Sequence, residues 1–408
     1  MRSFGVARPG LGFCTLLLGC PSLPPLVTPQ PPVAEVEADP LLLLAERTAG
    51  GVEIEEIDAG ELLERAAALA DAGEWLDAVT IYDEVAARFA GTPAEKEALY
   101  RKGVCLEWAE DWTGALLSFR ACLALAPGPD PDGEALPALI HAGLLAERLE
   151  LWNDAAAAYE GLLACDALSD GDRRAATVRL AVVTLERGEP DVAQPMFEQV
   201  IEQSVAASTA GGPVHPAPAA EAELRLGMLE AERFSEVHLD SPDPAELRRQ
   251  VEKLAAIFGD AFERLRAAIL GGSAFWAVEA GYRVGALYVQ IYDMFFDAPV
   301  PTALTEEQRE AYEALLRART RILLANALEA WEQNLVRAER AGVRGEAVDL
   351  TAEGMARVQG ILEGRAQRRT AIDEEAEQYV EAQGESDPLA PVLERLGLEI
   401  GGEGAPAP

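Results

Sequence analysis

The sequence predicts an all-α fold: a helix-turn-helix α-solenoid followed by a module of longer helices. Three observations carry that expectation. A ten-residue pattern recurs from residues 73, 110, 150 and 188, at spacings of 37, 40 and 38. The apolar fraction is 49%, ample for a packed core, and alanine, the best helix former, dominates it. Beyond residue 221 the patterns lengthen into helical segments punctuated by Gly and Pro.

The N-terminus reads as an address. Arg2 and Arg8 bracket the start of an apolar core, Leu11–Leu18, that suits a secretory signal and is too short for a spanning helix, which needs about 20 residues. Leu17-Leu18-Gly19-Cys20 resembles the bacterial lipobox. The resemblance implies cleavage after Gly19 and acylation of Cys20, with the small Gly19 admitting the peptidase. Bulky Phe13 makes Cys14 the poorer candidate. More than one acyl chain gives stable anchoring. Pro21 stands where an inner-membrane retention signal has Asp, so the expected location is the cell envelope, at the outer membrane. Residues 1–19 are then the signal peptide. Residues 20–58 are the lipidated cysteine and a tether kept extended by Pro21, Pro24, Pro25, Pro29, Pro31 and Pro32. LLLLAER, near Leu41, reads as a short helix or contact segment within it.

Charge narrows the partners. The formal charge is −36, and loss of Arg2 and Arg8 leaves about −38, which repels phosphate backbones and anionic headgroups. No nucleic acid is expected, and membrane contact is expected through the lipid anchor only. Beyond the signal peptide and its Cys20, only Cys105, Cys122 and Cys165 remain, an odd count that makes no disulfide framework. Buried free thiols are the expectation, with a Cys105–Cys122 pair as the alternative.

Residues 59–203 hold the repeats. GEWLDAVTIY, EDWTGALLSF, ELWNDAAAAY and GEPDVAQPMF share Ala78, Ala115, Ala155 and Ala193, each followed four residues later by Tyr82, Phe119, Tyr159 or Phe197. Another small residue lies twelve before each alanine: Ala66, Gly103, Gly143 and Ala181. Trp75, Trp112 and Trp152 lie three before. This pattern resembles the tetratricopeptide repeat (TPR), a helix-turn-helix unit. Small residues let paired helices approach, and the aromatic one turn on fills the neighbouring gap. The fourth unit departs from the pattern, with Pro190 for Trp and Pro195 expected to kink its second helix. APGPDPDGE reads as a turn between units.

Residues 204–220, rich in Gly, Pro, Ser and Ala, read as a loop. Residues 221–365 read as an α-helical module. Its helices are expected over Ala222–Phe234, Pro244–Leu270, 273–296, Thr305–Ala341 and Glu346–Glu363, with Thr305 and Gln308 as a capping box. Glu279, Arg283 and Asp293 make 273–296 a core helix rather than a membrane span. AFWAVEAGYRVGALY, FFDAPVP and LTEEQREAYEALL resemble the C-terminal module of envelope TPR proteins of gliding delta-type proteobacteria. That family includes components assigned to adventurous gliding motility. The likeness spans 221–363 and rests on Trp276, Ala280, Tyr282, Arg283, Gly285, Tyr288, Pro299, Pro301 and Tyr312. It implies an envelope scaffold and no catalytic residues. Residues 366–408 read as an acidic, partly disordered tail.

Chemistry is sparse. His141, His215 and His238 have no metal-ligand spacing, and no phosphate loop or nucleophile elbow occurs, so no catalytic residue, metal or cofactor is expected. Gly384-Glu385-Ser386 resembles the catalytic Glu-Ser of lytic transglycosylases but has no room for a lysozyme-like domain around it. In TPR arrays the first helix of each unit lines a groove. By that register the candidate partner groove is Tyr100, Val104, Glu107, Trp108, Ile140, Leu144, Glu147 and Arg148, mixed apolar and acidic. Trp108 is either an exposed anchor or a packing residue against the next repeat. The expected role is a lipid-anchored scaffold for other envelope proteins. An outer-membrane or cell-wall assembly factor is the alternative, and an enzyme or small-ligand receptor would need a deep polar pocket in the C-terminal module.

Overall fold

A computed structural model describes residues 41–48, 51–125, 134–212, 214–239, 241, 244–297 and 306–366. Cys20, the proline tether before Leu41, residues 126–133 of the APGPDPDGE turn, Thr305, Pro299, Pro301 and the tail from 367 lie outside the described residues. The chain divides into two compact units, Met1–Ala193 and Gln194–Pro408.

The first unit opens on an antiparallel hairpin, β1 (Leu41–Thr48) with β2 (Gly51–Asp58), registered Leu41 to Asp58 and Thr48 to Gly51. The LLLLAER segment is therefore a strand, not a short helix. Its partner explains why: Val52-Glu53-Ile54-Glu55 alternates apolar and acidic residues, the period of a strand.

Seven helices follow: α1 (Ala59–Asp71), α2 (Trp75–Arg88), α3 (Pro93–Trp108), α4 (Trp112–Leu125), α5 (Ala135–Arg148), α6 (Trp152–Leu163) and α7 (Asp170–Glu186). Each packs on the next, giving an α-solenoid of TPR-like helix pairs. Asp58 caps α1 by accepting from the Gly60 amide at 2.8 Å, and Ser169 caps α7 through the Asp172 amide at 3.1 Å. The predicted packing set is buried: Ala66, Ala78, Tyr82, Ala115, Phe119, Ala155 and Tyr159. At Gly103 an added Cβ would stand 2.8 Å from the Phe119 ring, and at Gly143 2.8 Å from Tyr159. The second and third units thus set the aromatic of one helix directly on the backbone of its mate.

The turn inside each pair has one solution. Gly73, Glu110, Glu150 and Gly188 occupy its same position, with φ of 82, 64, 57 and 78°. Their amides donate to Ala70, Glu107, Glu147 and Leu185, and the following amides donate to Leu69, Leu106, Ala146 and Thr184. This double bond is the Schellman C-cap, which satisfies the last carbonyls of the first helix.

The unit boundary falls inside α8 (Pro190–Thr209). α8 runs unbroken through Pro195. Proline there removes only a bond to the first-turn carbonyl of Asp191. The helix extends past the expected loop start to Thr209, and the Ser204 and Thr209 hydroxyls donate back to the Val200 and Val205 carbonyls at 2.8 Å. α9 (Ala217–Glu232) also starts early, with Pro218 in its first turn, so the predicted loop 204–220 contracts to 210–216.

The second unit continues through a 3₁₀ turn (Arg233–Glu236), α10 (Pro244–Leu270), α11 (Ala274–Asp297), α12 (Glu306–Ala341) and α13 (Glu346–Ala366). Its core gathers Leu254, Ile257, Leu265, Ile291, Leu323, Leu324 and Trp331. The Trp331 indole N–H donates to the Tyr282 carbonyl at 2.9 Å. Asn334, fully buried, donates to the Val278 carbonyl at 2.9 Å and Thr351 Oγ1 at 3.2 Å, clasping α11, α12 and α13 together. Ala280, Tyr288 and Gly285, which carry the second sequence resemblance, are all buried.

Candidate interaction site

The candidate groove residues fall on the first helices of two successive units. Tyr100, Val104, Glu107 and Trp108 lie on α3; Ile140, Leu144, Glu147 and Arg148 lie on α5. They separate into three layers with different occupations.

The first layer is an electrostatic ladder. His141 Nδ1 on α5 lies 2.8 Å from Glu107 Oε2 on α3, and the imidazole stacks on Phe119 with centroids 4.9 Å apart. One unit later, Arg179 on α7 donates through Nε to Glu147 Oε1 at 3.1 Å, and the Tyr159 hydroxyl donates to the same carboxylate. Burial, with the Glu147 charge adding to it, pushes the Tyr159 hydroxyl's pKa far up. Arg101, at the corresponding place in α3, stands beside Tyr82. α3, α5 and α7 thus set Arg101, His141 and Arg179 beside the aromatic of the preceding unit, and each meets a glutamate, Arg101 meeting Glu97 of its own helix at 2.7 Å. Glu107 and Glu147 are engaged inside the array, which leaves the groove less acidic than the sequence register implies.

The second layer closes the outer edge. Trp108 stacks on Trp75 of the preceding unit, and the Arg148 guanidinium lies 3.9 Å above the Trp112 ring. Residue 108 and residue 148 hold the same register, so stacked indoles in one unit are replaced by a cation–π pair in the next. Trp108 packs against the unit before it, not the next one, and is still 57% exposed.

The third layer is apolar. Tyr100, Val104, Ile140 and Leu144 are half-buried, two on each helix at matched positions. Tyr100 leans on Phe119 and on His141, with centroids 5.7 and 6.1 Å away. Ile140 and Leu144 line a shallow cleft that continues to Leu162, Ala176 and Arg179. Of the eight sequence candidates, these four and the exposed faces of Trp108 and Arg148 keep surface open to solvent. His141 and Arg179 were missed; the signal was the recurrence of Arg101, His141 and Arg179 two residues before the small residue of the second, third and fourth units.

The second unit holds an open cleft of about 910 Å³ between α11, α12, α13 and the chain after the 3₁₀ turn. Its buried lining is apolar, including Val289, Trp331 and Val358, while His238, Asp293 and Arg357 stand at its exposed margin. Arg357 donates to Asp293 at 3.2 Å. This pair sits on the rim above the apolar floor, unlike the converging polar groups of a deep small-ligand pocket. Among the described residues, no group of three or more His, Cys, Asp or Glu is placed to hold a metal, and no helix is long and apolar enough to cross a membrane. Cys105, Cys122 and Cys165 are buried.

Among solved structures, the chain is similar to a tetratricopeptide repeat protein from Parabacteroides merdae, at 12% identity over 74% of this chain and 98% of that one, TM-score 0.35. It is also similar to YrrB, a TPR protein with an unusual peptide-binding site, at 15% identity over 60% of this chain and 91% of that one, TM-score 0.32. Both likenesses concern helix-pair architecture alone. No protein-family model and no curated protein sequence matches the chain.

Proposed function

We propose that this chain is a lipid-anchored scaffold of a bacterial cell envelope, holding protein partners along the first helices of its repeats. The observation that carries the reading is the matched apolar strip, Tyr100 and Val104 on α3 with Ile140 and Leu144 on α5, left half-buried after the repeats have stacked. Packing within the array engages the inner faces of these side chains and leaves their outer faces half-exposed. An extended or helical segment of a partner with spaced apolar side chains fits that geometry. The engaged states of Glu107 and Glu147 favour an apolar partner segment over a basic one.

The anchor is Cys20, supported by the lipobox resemblance, and Pro21 favours the outer membrane. The resemblance over 221–363 favours an envelope complex, with a motility-associated one as the setting it suggests. Two measurements test the parts separately. Metabolic labelling with a palmitate analogue is expected to mark the wild type and not Cys20→Ser, and a labelled Cys20→Ser chain sinks the anchor. Cross-linked capture from envelope membranes is expected to recover a few proteins that Val104→Asp/Leu144→Asp loses while remaining folded. Equal capture by that variant removes the groove.

A further inference from the structure

Charge is spread through this chain at 25% of residues, yet within the second unit two stretches of twelve or more residues carry none. Residues 203–220, between Glu202 and Glu221, are uncharged apart from the neutral His215, and residues 267–278, between Arg266 and Glu279, are uncharged throughout. The fold brings Pro216–Ala220 of the first stretch against the second at one end of the second unit. The first contains the start of α9; the second is the corner where α10 turns into α11. They touch there: a Cβ on Gly271 would stand 3.1 Å from the Ala220 Cβ, and one on Gly272 3.4 Å from the Pro216 Cβ. Charges resume beyond the corner, at Glu221 on α9, Arg266 on α10 and Glu279 on α11, and Glu223 of α9 pairs with Arg264 of α10 at 3.1 Å.

This neutral end also carries unsheltered apolar side chains. Leu270, 69% exposed, is the most exposed large hydrophobic among the described residues, and Phe275 across the corner is 49% exposed. Phe275 meets Trp276 edge-on at 4.8 Å. Gly271, Gly272, Ser273 and Ala274 separate Leu270 from Phe275 with small side chains, and Trp276 beside Phe275 is half-buried.

We propose that this end of the second unit seats on the surface of a phospholipid bilayer. A chain of formal charge −36 is repelled by anionic headgroups over most of its surface. A face without charge approaches a lipid interface without that penalty, and exposed leucine, phenylalanine and tryptophan are the side chains that interfaces accept. The proposal goes beyond the Cys20 anchor and does not depend on it, and it is tested on a chain that cannot be acylated.

The test uses the chain from residue 20 onward with Cys20→Ser, mixed at millimolar lipid with vesicles of phosphatidylcholine and phosphatidylethanolamine. The chain is expected to sediment with the vesicles, and less so once phosphatidylglycerol is added. Leu270→Glu/Phe275→Glu is expected to lower the partition coefficient about tenfold or more, and Leu270→Trp to raise it several-fold. Circular dichroism checks that both variants stay folded, as exposed positions should allow. A wild type that stays in the supernatant overturns the proposal, as does equal binding by the glutamate variant. If sedimentation velocity instead shows a dimer that the glutamate variant dissociates, the face belongs to a second copy and the lipid reading fails.

Discussion

Trp108 stacks on Trp75 with ring centroids 5.6 Å apart and planes inclined by 17°. The two indoles belong to successive repeats, so the contact ties one helix pair to the next although more than half of Trp108 faces solvent. Trp108→Ala is therefore expected to lower stability by about 1 kcal/mol, and Trp108→Phe to restore most of it. Urea denaturation checks both. An alanine variant as stable as wild type would return Trp108 to the role of a free anchor.

The turns inside the helix pairs predict a gain. Glu110 and Glu150 hold φ of 64 and 57°, where L side chains are strained, while Gly73 and Gly188 hold the same position without cost. No atom crowds Gly188, so only backbone strain is at issue there. Glu110→Gly and Glu150→Gly should each stabilise by about 0.5–1 kcal/mol, and Gly188→Ala should destabilise by about 1 kcal/mol. Thermal melts of the three single variants decide it, and a glutamate-to-glycine loss would contradict it.

Close packing predicts the opposite sign for another glycine. Alanine is the better helix former by about 1 kcal/mol, yet a Cβ at Gly103 would lie 2.8 Å from the Phe119 ring. Overpacking should dominate, and Gly103→Ala should cost about 1–3 kcal/mol. Phe119→Leu removes the ring, so the double variant should lose less than the sum of the two singles, as a denaturation cycle would show.

The ion-pair ladder makes Glu147 a structural residue before it is a binding one. It accepts from both Arg179 and Tyr159, and its side chain is largely buried. Glu147→Ala should cost about 2–4 kcal/mol, because it leaves a guanidinium and a phenol without their acceptor. A loss of partner capture in that variant without a loss of stability would show that Glu147 faces the groove after all.

The repeat was legible because its packing set is local and periodic: Ala78, Ala115, Ala155 and Ala193 with their aromatics are all buried as the spacing required. The turn was half legible. The aligned segments begin Gly, Glu, Glu, Gly, and only the glycines announce a left-handed residue. The ladder was harder to read, since His141 and Arg179 act on residues of a neighbouring unit and differ in type. The hairpin at Leu41 hid for another reason: four consecutive leucines carry no period, and the alternation that decides the strand lies in its partner. The neutral end of the second unit needed the fold, because 203–220 and 267–278 are far apart in sequence and meet only through α9 and α10.

Cys105 gives a pH test of burial in the repeats. Burial pushes its thiol from the ordinary 9.0 to about 11, with Arg101 offsetting part of that shift. The unfolded chain releases the proton near 9, and the folded chain holds it until near 11. Between those values the unfolded state binds fewer protons, so stability falls as pH rises through the window and is unaffected by this group below it. Tyr82, beside Cys105 and raised in the same direction by burial, contributes its own decline above 10. The Cys105 part is isolated by comparing wild type with Cys105→Ala, whose stability should fall less steeply from pH 9 to 11. The same shift predicts slow alkylation of Cys105 by iodoacetamide at pH 8, since little thiolate is present there and the side chain is buried. Rapid alkylation of the folded chain at Cys105, mapped by mass spectrometry, would mean that the second repeat opens readily and that its packing is looser than the contact of Gly103 with Phe119 requires.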